Sequence, residues 1–312
     1  MIRLHLPLLF ICAFFITSCS AAATPTRFID TPTTASSSTV TPRPTASLSP
    51  LEVASAVLSD LAIETQSLYS PDGRCTWHRL QAWSMTEAAQ RKYEHRFFIS
   101  ATVTCVRAET NEKVNWLLVD EWKEQGLGYS IPALLGWSAD GNYLYFYDNI
   151  IPDGCQPLGG FQDNLRQVDL DTGDILSLLM GLKSGYSLSP DTTRLVFYDI
   201  QTADIGSYDF ASGKVQHFPL AATGQADERW VGDLTWSPDG RSLLFVVIYG
   251  DPCYPGGASI LHLDPQSGQV KILLTTEGQI LSIIDWVASE RVLISVGGEQ
   301  HALDPSSGVL EP

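Results

Sequence analysis

The chain has 312 residues, 44% of them hydrophobic and 10% aromatic, which supplies enough apolar surface for a sizeable core. Charged residues make up only 17%, yet their balance is acidic, with a formal net charge of -16. A field of that sign repels phosphate backbones, and no basic stripe offsets it, so nucleic acid is excluded as a partner.

The first 18 residues read as an export signal. Arg3 gives a short positive start and Leu4 to Ile16 is almost continuously apolar, broken by His5 and Pro7. That run is shorter than the ~20 apolar residues a transmembrane helix needs, and it matches a signal-peptide core. Ile16-Thr17-Ser18-Cys19 resembles a bacterial lipobox. The resemblance implies diacylglycerol on the Cys19 thiol and cleavage before it, several acyl chains on one residue giving a stable anchor. An ordinary signal peptide cleaved near Ala21-Ala22-Ala23 is the alternative. Residues 19–50 are rich in Thr, Pro and Ser, including Thr24-Pro25-Thr26 and Thr41-Pro42-Arg43-Pro44-Thr45. They bury too little to offset the entropy of ordering, and their prolines make them a semi-rigid tether reaching about 3 Å per residue.

The rest, residues 51–312, carries an internal repeat. Ser70-Pro71-Asp72-Gly73, Ser138-Ala139-Asp140-Gly141, Ser189-Pro190-Asp191 and Ser237-Pro238-Asp239-Gly240 are near copies of one turn. A degenerate fifth copy lies at Trp286-Val287-Ala288, so the turns begin at 70, 138, 189, 237 and 287, with spacings of 68, 51, 48 and 50. Proline presets φ at the second position, aspartate fits the third, and glycine accepts the positive φ that closes a hairpin. Strand-like runs flank each turn, among them Tyr143 to Tyr147, Arg194 to Tyr198 and Leu243 to Val247. A second turn follows in phase: Asp169-x-x-Thr172-Gly173, Asp209-x-x-Ser212-Gly213, Asp264-x-x-Ser267-Gly268 and Asp304-x-x-Ser307-Gly308, with Thr110-Asn111 in the first repeat. One period is therefore four antiparallel strands in about 50 residues, a propeller blade.

These two turns together resemble the WD40-like "PD40" repeat of TolB-type propellers and of the propeller domains of some peptidases, over roughly residues 60–312. The resemblance implies an all-β fold, a β-propeller of four-stranded antiparallel blades, and no particular function. Five repeats predict five blades. Six result if Leu51 to Leu61 contributes strands, although its Ala, Leu and Ser content looks more like a short helix. The first repeat departs from the pattern by an insertion around Ser84 to His95, and the third by Thr192 in place of the turn glycine.

With Cys12 and Cys19 set aside, four cysteines remain, an even number that argues for disulfides in an exported domain. The repeat register places Cys75 at the start of the second strand of the first blade and Cys105 near the end of the third, antiparallel neighbours within bridging reach. Cys155 and Cys253 fall in similar loops of the second and fourth blades, and a bridge between them would have to span the third. No spacing fits a metal, and no cofactor is expected.

No Gly-x-Ser-x-Gly elbow, HExxH, P-loop or dinucleotide fingerprint occurs, and no catalytic residue is assigned. His217 and His262 sit in strand runs, as structural histidines do. Asp169, Asp171 and Asp174 space like a fragment of a calcium loop but lack its glycine and terminal glutamate. The candidate binding residues are loop aromatics and loop polar groups: Trp122 and Tyr129 in one connection, Asp153 and Gln156 in a second, Asp251 and Tyr254 in a third. Rings capping a blade edge are the competing explanation for Trp122 and Tyr129. The function expected is non-catalytic binding or scaffolding at the cell envelope, with an envelope protein, peptide or carbohydrate as partner and the lipid as the sole membrane contact. The alternative is a propeller hydrolase or lyase using carboxylates at the channel mouth.

Overall fold

The computed structural model describes residues 61–84, 91, 96–124, 129–151, 160–220, 229–251 and 254–311, all within the compact unit Ser37–Pro312. The described residues form twenty β-strands that succeed one another as antiparallel meanders. The first sheet is β1 (Leu61–Tyr69), β2 (Cys75–Ser84), β3 (Arg96–Val106) and β4 (Lys113–Glu124), paired in that order. The second group is β5 (Ser130–Trp137), β6 (Tyr143–Ile150), β7 (Phe161–Asp169) and β8 (Ile175–Leu179). The third is β9 (Lys183–Leu188), β10 (Arg194–Asp199), β11 (Asp204–Asp209) and β12 (Lys214–Pro219). The fourth is β13 (Arg229–Trp236), β14 (Leu243–Asp251), β15 (Tyr254–Asp264) and β16 (Gln269–Glu277). The last is β17 (Leu281–Ala288), β18 (Arg291–Val296), β19 (Glu299–Leu303) and a two-residue β20 (Leu310–Glu311). The second and third groups are not separate sheets. Phe161 pairs with Ser184 and Gln162 with Lys183, joining β7 to β9 in one eight-stranded sheet.

The two repeated turns hold the meanders together, each turn occurring in four of the five. In the first, a serine hydroxyl works in both directions. It donates to the aspartate two residues on, at 2.7 Å for Ser70 and 2.6 Å for Ser138, Ser189 and Ser237. It also accepts the N–H five residues on, from Cys75 and Tyr143 at 2.8 Å and from Arg194 and Ser242 at 2.9 Å. The aspartate in turn accepts the N–H two residues further along, at 3.0–3.1 Å. Thr192 takes the positive φ that glycine takes elsewhere, and its Oγ1 accepts the Ala139 N–H at 2.7 Å, a bond glycine could not make. In the second turn the aspartate C=O accepts the glycine N–H at 2.8–2.9 Å, while Oδ1 accepts the N–H of the Thr or Ser before it. Asp169 is thus engaged by its own turn, its Oδ1 accepting the Asp171 and Thr172 N–H groups at 2.9 Å.

Alternate residues on a strand point to opposite faces, and both faces of the middle sheets are buried. Leu144 and Phe146 pack with Trp77, Val103 and Trp116 of the first sheet. Tyr145, from the other face of β6, joins Leu195, Phe197 and Tyr208. Val196, Ile205 and Phe218 meet Leu234, Trp236 and Phe245. Leu244, Val246 and Ile260 meet Trp286, Val292 and Ile294. Runs such as Leu243 to Val247 are apolar without alternation because each face has its own neighbouring sheet. The leading strands also interlock. A Cβ on Gly185 would come within 2.4 Å of Leu234 Cδ1, Ser184 Oγ donates to Val231 O at 2.7 Å, and Asp233 Oδ2 accepts the Ile283 N–H at 3.1 Å.

Two glycines separate backbone strain from packing. Both Gly73 and Gly173 have positive φ, but a Cβ on Gly73 meets nothing within 4 Å, whereas one on Gly173 would lie 2.3 Å from the Trp116 ring. Gly73→Ala should cost about 1–2 kcal/mol, the left-handed penalty alone, and Gly173→Ala clearly more. Equal losses in urea unfolding would contradict the Trp116 contact.

The turn carboxylates set an acid limit on stability. Burial pushes Asp72 upward, but bonds from Arg74 and Ser70 outweigh it and hold the group at about 2. The Ser307 and Ser306 hydroxyls hold Asp304 at about 2. Serine hydroxyls likewise lower Asp140, Asp191, Asp209, Asp239 and Asp264. Depressed folded-state values mean stability that is present above the ordinary carboxylate range and lost as pH falls through the folded values. Asp120 and Asp233, both raised by burial, act in the opposite sense. Urea midpoints should therefore fall steadily from about pH 5 toward pH 2; a flat profile would mean the turn bonds carry no linkage.

Candidate functional site

Polar groups concentrate where β7 meets β9. Lys183 begins β9, and its buried ammonium lies 3.1 Å from Asp199 Oδ2 at the end of β10. Buried Gln162 accepts the Tyr186 N–H on Oε1 at 2.7 Å. On the neighbouring strands Arg166 pairs with Asp148, stacks 4.4 Å over the Phe146 ring, and donates to Asn164 O at 3.2 Å. Asn164 also bonds Asp148, at 3.0 Å, and has φ +50 beside a bulge in the β6–β7 ladder. Bulges of this kind re-aim side chains at sheet edges.

Two tyrosines line the join. The Tyr147 and Tyr186 rings meet edge to face at 5.4 Å. Burial first, and then the charges of Asp163 and Asp199, push the Tyr186 phenol well up. Its hydroxyl is buried and has no hydrogen-bond partner among the described residues. The carboxylates of Asp148 and Asp199 each face a cation, an arrangement suited to holding structure and presenting polar groups. Among the described residues, the two carboxyl groups that burial raises, Asp120 and Asp233, stand in different sheets.

The residues expected from sequence fall elsewhere. Cys75 and Cys105 are directly opposite in β2 and β3 and form a disulfide, with Cα atoms 4.1 Å apart. Trp122 is not in a connection: it lies within β4, with its ring 5.4 Å from Phe98. Tyr129 packs edge to face on Phe97 at 4.8 Å, as a ring covering a sheet margin does. Asp251 and Tyr254 are likewise strand residues, paired with each other at the end of the β14–β15 hairpin. Strand pairing extends further than the turn residues implied, leaving two residues between these strands. Asp153, Gln156, Cys155, Cys253 and Cys19 lie outside the described residues, as does most of the Ser84 to His95 insertion. His217 and His262 occupy β12 and β15, and burial lowers His262. Sequence reasoning passed over Lys183, Gln162 and Tyr186. The signal was Lys183 opening a strand followed by a buried tyrosine, since a lysine there requires a partner.

No family model matches the chain, and no curated protein does. Among solved structures, TolB from Acinetobacter baumannii is 15% identical over 80% of this chain and 53% of that one, with a TM-score of 0.37. A putative 6-phosphogluconolactonase from Bacteroides uniformis is 12% identical over 78% and 82%, with a TM-score of 0.39. A putative dipeptidyl aminopeptidase IV from Bacteroides ovatus is 10% identical over 81% and 41%, with a TM-score of 0.49. The chain spans about half the length of that TolB. Similarities at this level assign neither a family nor an activity.

The Lys183–Asp199 pair gives the join a thermodynamic signature. Removing one partner leaves a buried charge alone, so Lys183→Met should cost about 3–5 kcal/mol, whereas Lys183→Met with Asp199→Leu should recover most of that loss. A double variant as unstable as the two single losses added would show that the two groups act independently.

Proposed function

We propose that this chain is a non-catalytic binding protein of the cell envelope: a five-bladed β-propeller, exported by residues 1–18, anchored through lipid on Cys19 and held off the bilayer by residues 19–50. Five successive four-stranded meanders support the propeller, and a formed Cys75–Cys105 disulfide supports an oxidising, extracytoplasmic compartment. The observation that carries the binding reading is the commitment of the carboxylates at the β7–β9 join and in the repeated turns. Asp148 is held by Arg166, Asp199 by Lys183, and the turn aspartates by their own serines and backbone. A carboxylate fixed this way is poorly placed to exchange protons with a substrate. An envelope protein, peptide or carbohydrate is the partner class.

Intact-mass analysis of protein extracted from membranes, alkylated with and without reduction, tests address and oxidation together. A chain beginning at an acylated Cys19, with Cys75 and Cys105 protected, is expected; an unprocessed chain with free thiols would overturn the envelope assignment. In parallel, thermal unfolding with soluble cell-wall glycan fragments and peptides should show stabilisation without product. Product formation would favour the hydrolase or lyase alternative.

A further inference from the structure

Four successive leading strands share one bulge. It falls at Leu135 in β5, at Gly185 and Tyr186 in β9, at Asp233 and Leu234 in β13, and at Ile284 in β17. Three positions before the turns that begin at 138, 189, 237 and 287 stand Leu135, Tyr186, Leu234 and Ile284. Six positions before the same turns stand Pro132, Lys183, Val231 and Leu281. The third meander thus puts a phenol and an ammonium where the other three put apolar groups. The bulge forms in those three without them, so the fold does not require either polar group. Departures of this kind from an otherwise consistent repeat collect at functional sites.

Everything about Tyr186 except its hydroxyl is matched. Its N–H donates to Gln162 Oε1 at 2.7 Å, which ties down the bulged backbone. Its ring meets Tyr147 edge to face at 5.4 Å and Phe197 at 6.1 Å. The residue is 9% exposed, and its hydroxyl is buried with no hydrogen-bond partner among the described residues. Phenylalanine would make the same ring contacts without burying an unpaired polar group, which always costs free energy.

The surroundings select what the hydroxyl can meet. Asp148, Asp163 and Asp199 all act on the Tyr186 phenol. Arg166 pairs with Asp148, Lys183 pairs with Asp199, and half-buried Arg79 stands near Tyr147. These carboxylates and cations balance, which favours neither an anion nor a cation as ligand. The carboxylate oxygens keep lone pairs to spare, so an entering group has to donate as well as accept. A hydroxyl does both, whereas a peptide carbonyl only accepts. Asp148 and Asp163, opposite each other in the β6–β7 ladder, are only partly buried, so the site reaches the surface on that side.

We infer that the Tyr186 hydroxyl is a ligand contact, donating to a hydroxyl group of a neutral saccharide that donates in turn to the carboxylates around it. The inference rests on the binding function proposed above and narrows its partner class to carbohydrate.

Calorimetric titration of the full chain with the neutral disaccharides cellobiose and diacetylchitobiose, beside urea unfolding, tests both halves. Tyr186→Phe should leave the urea midpoint unchanged or raised, because it keeps the ring and removes a buried polar group. The same variant should weaken disaccharide binding about tenfold. Tyr208→Phe, which deletes a phenol of the same cluster on β11, should not weaken it. A fall in the urea midpoint of Tyr186→Phe would overturn the inference, since the hydroxyl would then be bonded within the protein. Equal disaccharide affinity in Tyr186→Phe and the unaltered chain would overturn the site and leave the binding function standing. Binding of neither disaccharide would overturn the saccharide class, with an envelope protein or peptide left as the partner.

Discussion

Four of the five meanders depend on a serine hydroxyl that donates to an aspartate two residues on while accepting the N–H that opens the next strand. A hairpin turn leaves backbone groups without ladder partners, and burying them unpaired would cost about 1–3 kcal/mol each. In this chain the Ser-x-Asp pair satisfies them internally, at Ser138 as at Ser237. The turn therefore needs little help from its surroundings and can recur while the strands around it diverge. Its hydroxyls and carboxylates look like catalytic chemistry in a list of residues, and the hydrogen bonds show them fully engaged in structure.

Once the turns fix strand order, the sheets have to bury two faces each. Leu144 and Phe146 on one side of β6 and Tyr145 on the other show how this is met: consecutive apolar residues serve two different neighbours. The leading strands approach closely, down to a glycine facing Leu234, and the polar exceptions gather where β7 meets β9. Lys183 and Asp199 gain little net stability over an apolar pair of the same shape, but they penalise any arrangement that separates them. A buried ion pair there favours one register for the join over others.

The strand count per repeat, the antiparallel order and the positions of both turns were legible in the sequence, because turn residues act locally and carry their own geometry. The Cys75–Cys105 bridge was legible for the same reason, since two turns of known position fix which residues of β2 and β3 lie opposite. What escaped depends on contacts between repeats. Nothing local to Phe161 or Ser184 indicates that β7 and β9 pair. Trp122 reads as a loop aromatic until β4 is seen to run on to Glu124 and Phe98 to receive its ring. Tyr186 shows no sign in sequence of a hydroxyl without a partner, because that property belongs to the residues surrounding it.

The position of the disulfide follows from the same geometry. Sheets in the middle of the series are held on both faces, but β1 pairs only with β2, and most of its side chains are exposed. β1 is thus a strand whose local opening should be easy, and the chain outside the described residues joins it at Leu61. Cys75 and Cys105 sit opposite each other one step from the Val106–Arg74 backbone bond, closing 30 residues that include the long β2–β3 connection. On a chain-entropy argument a closure of that length contributes about 3–4 kcal/mol by restricting the unfolded chain. A bridge between β2 and β3 also means that loss of β1 need not spread inward, since the next two strands stay covalently registered. The covalent constraint thus joins the two strands that carry Trp77 and Val103 into the core.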